Sequence, residues 1–229
     1  MIPLRVDILR SRVAVANLFL ITLNLLSFIY ELSLSTKAGQ ALVYTFGLIP
    51  AHEQFLFAKH GSLGVARMIV PMVTSMFLHG GWMHLLGNML FLWVFGGSVE
   101  DALGHLQYLI FYFICGIGAA LTHIVFNWGS KIPTVGASGA ISGVMGAFIV
   151  LYPRSRVTTL IPALFLFFTV RIPAVLMLGY WFFLQLFSGV ASVATANQGG
   201  VAWWAHVGGF VLGAFLVFAE RRQVRPRFA

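Results

Sequence analysis

Apolar runs long enough to cross a bilayer recur along this chain, separated by short charged or glycine-rich breaks. The pattern predicts six membrane-spanning helices over residues 13–33, 82–99, 107–126, 137–152, 173–189 and 202–219. Between the first two lies a long mixed loop with Lys37, Glu53, Lys59 and Arg67 among apolar patches. A loop of that length is uncommon unless it is functional or partly structured. Residues 158–169 are apolar but β-branched and aromatic, and Pro162 interrupts them. They read as a loop or short interfacial hairpin rather than a seventh span. The chain is expected to form one all-α membrane domain over 1–229.

Composition supports this reading. The 229 residues are 59% hydrophobic and only 9% charged, against about 25% charged in a soluble domain. The net charge of +8 could suggest nucleic acid, but its distribution points to membrane topology and no nucleic-acid partner. With six spans, Arg5, Arg10, Arg12, Arg154, Arg156, Arg221, Arg222, Arg225 and Arg227 share one side. Only Lys37, Lys59, Arg67 and Lys131 lie on the other. The positive-inside rule then makes both termini cytoplasmic. Cys115, the only cysteine, lies mid-span and reads as a small hydrophobe.

The polar residues inside the spans converge. Spans two, four and six enter from the arginine-poor side, and each carries polar groups near that end: His84 and Asn88, Ser138, and His206. Intramembrane polar groups usually face a bundle interior or a watery cavity. Span four has about 16 residues, so about 24 Å of helix, whereas the hydrocarbon is about 30 Å thick. Ser138 is therefore expected below the membrane surface. His84 and Asn88 share a helix face at i, i+4. The stripes Ser138, Ser142, Gly146 and His206, Gly209, Gly213 would let two helices approach closely.

The motifs His79-Gly80-Gly81-Trp82-Met83-His84-Leu85-Leu86-Gly87-Asn88, Gly136-Ala137-Ser138-Gly139 and Ala205-His206-Val207-Gly208-Gly209 with Gly213 resemble the rhomboid intramembrane serine proteases. The resemblance implies a six-helix rhomboid-like bundle and a Ser-His dyad, with Ser138 as nucleophile and His206 as general base and acid. It implies that His84 and Asn88 stabilise the oxyanion, and that His79 holds the first loop. Gly136, Gly139, Gly209 and Gly213 would support the site. No cofactor or metal is implied. Acids are remote: Glu220 lies about 21 Å along the helix from His206, so His206 needs another means of orientation. The loop over 191–200 would cap the site.

Two departures stand out: Val70-Pro71 replaces a Trp-Arg pair that several members carry, and Ser142 stands where some place an aromatic against the histidine. The expected substrate is a single-span membrane protein cut near the outer face, at a helix-breaking stretch in the lipid bilayer. The short form resembles the minimal bacterial type, which implies a plasma-membrane location. One alternative is an inactive rhomboid-like helix-binding protein. Another is a metal-binding protein using His79, His84 and His206, although no carboxylate or thiol stands nearby to complete a usual site.

Overall fold

The structure, a computed structural model, describes residues 1–163, 166–194 and 201–220. Strand β1 (Ile2–Val6) precedes the first span, α1 (Val15–Ser33). Helices α2 (Thr36–Phe46), α3 (Pro50–His60) and α4 (Ser62–Thr74) form the first loop. The second span joins α5 (Trp82–Phe91), a π-helical turn at Leu92–Gly96, and α6 (Gly97–Leu103). The third is α7 (His105–Phe126) and the fourth α8 (Ser138–Leu151). Strands β2 (Arg156–Ala163) and β3 (Leu166–Pro173) lead to α9 (Ala174–Ala194) and α10 (Trp203–Glu220). Among the described residues five segments are long and apolar enough to span a membrane, and α8 is shorter, as its sequence predicts.

Buried polar groups fix the arginine-rich end of the bundle. Glu100 is 1% exposed and accepts the Ala16 and Asn17 backbone N–H groups at 2.9 and 2.7 Å. A carboxylate there satisfies two orphan donors and complements the positive end of α1. Asp101 accepts the Ser11 and Arg12 N–H groups. Span two runs past its expected end at 99, to Leu103. The π turn leaves the Leu92 carbonyl to the Asn17 amide at 3.1 Å, and Tyr108 donates to Asn17 Oδ1 at 2.7 Å.

The segment 158–169 is a hairpin and not a seventh span: β2 pairs antiparallel with β3, and β1 adds to its other side. The sequence reading did not anticipate β1, because five residues ahead of an arginine cluster are too few to show a period. The long first loop is largely helical, and backbone pairs tie it to the stretch before α8. Leu48 and Thr134 exchange N–H···O bonds of 3.0 and 2.8 Å, and the Ala51 N–H donates to the Ser130 carbonyl at 2.9 Å. These ties anchor the loop, in which Val70-Pro71 stands in place of the Trp-Arg pair.

Helices α8 and α10 form the tightest pair. A Cβ added at Gly209 would meet the Gly139 carbonyl oxygen at 2.0 Å, and one at Gly213 the Gly143 oxygen at 2.1 Å. At Gly146 it would meet the Phe210 oxygen, also at 2.1 Å. The contact stripe on α8 is therefore Gly139, Gly143 and Gly146. The expected stripe of Ser138 and Ser142 is rotated by one residue, about 100°, and lines a cavity instead.

The fold makes two predictions, the first from the α8–α10 contact. Gly209→Ala places a methyl against backbone that has no flexible end to move, and overpacking of this kind costs about 1–3 kcal/mol. Thermal unfolding in detergent micelles should show a lowered midpoint for Gly209→Ala and little change for Gly179→Ala, where the added methyl meets nothing within 4 Å. The second concerns Glu53, which is 0% exposed, with neither carboxylate oxygen hydrogen-bonded. Burial raises its pKa from the ordinary 4.5 to about 7. The neutral carboxyl is favoured in the fold, so its contribution is fully present below about pH 4.5 and lost as pH rises through about 7. Glu53→Gln should raise the unfolding midpoint above about pH 7 and leave it nearly unchanged below about pH 4.5. An equal effect at both ends would contradict that origin.

Candidate active site

Ser138 opens α8 as its first helical residue. Gly136, two residues before it, has φ 121°, a conformation that glycine tolerates. The Gly136 N–H donates to the Ser75 carbonyl at 2.8 Å, which fixes the approach to the serine. A Cβ at Gly136 would meet His84 Nε2 at 2.6 Å and Asn88 Nδ2 at 3.5 Å. Its absence lets both polar tips of α5 stand beside the start of α8.

From α10, buried His206 places Nε2 2.8 Å from Ser138 Oγ. Its Nδ1 lies 2.7 Å from Gln185 Oε1 on α9. The Gln185 amide nitrogen donates to the Trp181 carbonyl at 3.3 Å, which leaves the amide oxygen for histidine. An oxygen can only accept, so Nδ1 carries the proton and Nε2 is free to accept the serine hydroxyl. The centroids of the Trp181 and Trp203 rings lie 5.7 and 6.4 Å from that of the imidazole, Trp203 perpendicular to it.

Asn88 Nδ2 lies 3.0 Å from His79 Nε2. The amide donates there and keeps a second N–H for the cavity. The His79 backbone N–H donates to the Glu31 carboxylate at 3.2 Å. Burial, with the neighbouring His84 as a smaller cause, lowers the His79 pKa to about 4. Its ring therefore stays neutral at ordinary pH and accepts from Asn88. His84, Asn88, Ser138 and His206 all line one cavity of about 600 Å³, with Met145 and Trp181 among its apolar walls.

The first 65 residues apart, nearly the whole chain, residues 66–223, matches the family model described as Rhomboid domain. The chain belongs to the rhomboid family. It is 30% identical over 149 residues to Rhomboid protein 1, mitochondrial, of Saccharomyces cerevisiae, covering 63% of this chain and 40% of that one. It is 32% identical over 111 residues to Presenilin-associated rhomboid-like protein A, mitochondrial, of Danio rerio, covering 47% and 29% respectively. Presenilin-associated rhomboid-like protein, mitochondrial, of Mus musculus is 29% identical over 133 residues, covering 57% of this chain and 35% of that protein. The chain thus spans less than half the length of these relatives.

The rhomboid fold here brings together every polar residue singled out from the sequence. His79, expected to hold the first loop, bonds Asn88 through its ring and Glu31 at the end of the first span through its backbone N–H. Of the three histidines considered as metal ligands, His79 bonds Asn88 and His206 bonds Gln185 and Ser138, and among the described residues no group of three His, Cys, Asp or Glu side chains converges. Sequence reasoning missed Gln185. The available signal was an amide inside the otherwise apolar stretch Trp181–Phe187, where an intramembrane polar group invites a search for its partner. The expected capping loop at 191–200 starts later, because α9 stays helical through Ala194; residues 195–200 lie outside the described residues.

Proposed function

We propose that this rhomboid is an intramembrane serine endopeptidase acting through Ser138 and His206. The observation that carries the proposal is the 2.8 Å Ser138–His206 contact, with the histidine tautomer set by Gln185. As Ser138 Oγ attacks a peptide carbonyl, its proton passes to His206 Nε2, which returns it to the leaving amine. Gln185 holds the other ring nitrogen through this exchange and takes no proton. The developing oxyanion is stabilised by His84, by the free Asn88 N–H and by the Ser138 backbone N–H, and loss of one such donor costs about 10²–10³ in rate. The substrate class is a single-span membrane protein whose helix unwinds locally, since helical hydrogen bonds shield a peptide bond. Arginine distribution supports placing the arginine-rich end and both termini on the cytoplasmic side, with cleavage near the opposite face. An inactive helix-binding relative is the competing reading, and the paired serine and histidine argue against it.

The test is labelling with a fluorophosphonate probe and cleavage of a model single-span substrate in proteoliposomes. Both should vanish in Ser138→Ala, and His206→Ala should lose at least about 10³ in rate. Labelling that survives Ser138→Ala, or a parent that cleaves nothing and binds no probe, would overturn the proposal.

A further prediction concerns Gln185→Leu. It should lower kcat by more than about tenfold with KM little changed, yet by less than the about 10⁴ lost when a triad acid is neutralised. Gln185→Glu should restore most of the rate because it restores the acceptor, whereas a purely packing role would favour leucine over glutamate.

A further inference from the structure

The sheet β1-β2-β3 stands at the arginine-rich end of the bundle, and catalysis does not use it. It is tied closely to the spans. β3 runs into α9 without a linker, and only four residues separate α8 from β2. β1 packs on α5 and the π turn of span two, while β2 and β3 contact α9. Thr159 Oγ1 reaches Met177 Sδ at 3.5 Å. The sheet therefore flanks the bundle from the start of α9 to the middle of the second span.

Its two faces differ. One packs inward through Val157 and Thr159, both 0% exposed, together with buried Pro3. On the other face the register aligns Arg5, Thr158 and Arg171 in one row across the three strands, with Arg156 two residues along β2. Strand spacing puts the Arg5 and Arg171 Cα atoms about 10 Å apart. All three arginines are exposed, and among the described residues none is ion-paired with a carboxylate. Asp7 stands beside Arg156, its Oδ1 accepting the Arg156 backbone N–H at 2.8 Å. Toward the hairpin tip the same face becomes apolar, with Ile2 40% and Phe167 72% exposed.

We propose that this sheet is a lipid-docking element, with Arg5, Arg156 and Arg171 holding anionic phospholipid headgroups and the end around Ile2 and Phe167 lying among the upper acyl chains. The order of surfaces decides the occupant. A cationic row at the ends of the spans, followed along the same strands by an aromatic and aliphatic surface, matches the order of headgroup and acyl chain in an anionic leaflet. The backbone agrees. β3 is an edge strand, and its outward N–H and C=O groups cannot be satisfied by hydrocarbon. Headgroups and interfacial water can satisfy them, so the sheet lies at the boundary and not at the bilayer centre. This inference does not rest on the protease reading.

The test places a bimane fluorophore on Thr169→Cys, an exposed position two residues from both Arg171 and Phe167; the native Cys115 is buried. The protein is reconstituted in phosphatidylcholine vesicles that also contain either acyl-brominated phosphatidylglycerol or the same fraction of acyl-brominated phosphatidylcholine. The expected result is stronger quenching by the brominated phosphatidylglycerol and weak quenching by aqueous acrylamide. In the combined variant Arg5→Gln, Arg156→Gln, Arg171→Gln the two brominated lipids should quench equally, with circular dichroism unchanged. Arg154→Gln, outside the row, should keep the preference. Dominant acrylamide quenching, equal quenching by both lipids in the parent, or a preference that survives the triple substitution would each overturn the proposal.

Discussion

The site depends on how closely the backbones of α8 and α10 approach. Gly209 and Gly213 press on the Gly139 and Gly143 carbonyls, and Gly146 presses on that of Phe210. In a bilayer apolar side chains gain little from contacting one another in place of lipid, so helices associate through close van der Waals packing. That packing sets the separation of the two helices, and with it the 2.8 Å between Ser138 Oγ and His206 Nε2. A larger residue at any of these positions acts on the Ser138–His206 pair through distance, without touching either polar side chain.

The same constraint explains where the histidine finds its support. α10 is committed to α8 through glycines, so its imidazole cannot be steadied by a bulky neighbour on that stripe. Ser142 turns instead to donate to the Ser138 carbonyl at 2.6 Å. Support comes from α9, where Trp181 flanks the ring and Gln185 accepts from Nδ1. A neutral acceptor suits this location. A buried carboxylate would carry a desolvation penalty of several kcal/mol in a low-dielectric interior, whereas an amide fixes the tautomer without a charge. What is given up is electrostatic stabilisation of the imidazolium, which an acid would supply.

Most of this arrangement was legible because membranes simplify the code. Span positions follow from apolar length, and the shared depth of His84, Asn88, Ser138 and His206 follows from span direction. Periodicity alone could not choose between neighbouring stripes on α8, because Ser138, Gly139, Ser142 and Gly143 are all small. Only the facing helix decides which pair is buried against it. Gln185 escaped because it stands alone in its span, with no motif around it and a partner 21 positions away. β1 escaped because its strand character comes from pairing with β2, about 155 residues later. Of the two segments expected to matter beyond the core, the basic tail at 221–229 lies wholly outside the described residues and the capping loop largely so.

The shortness of α8 imposes a last requirement that the first loop meets. A helix of 14 residues covers about 21 Å, so chain without helical hydrogen bonds must descend to Ser138 at a depth where bare backbone is not tolerated. The descending residues find partners in the loop between spans one and two: Ser130 with Ala51, Thr134 with Leu48, and Gly136 with Ser75. The helices α2–α4 are thus a scaffold for the approach to Ser138. This accounts for a long loop folded into helices, and for its tolerance of Val70-Pro71 in α4. The load is carried by backbone pairs at 48, 51 and 75, so the side chains at 70 and 71 are free to differ.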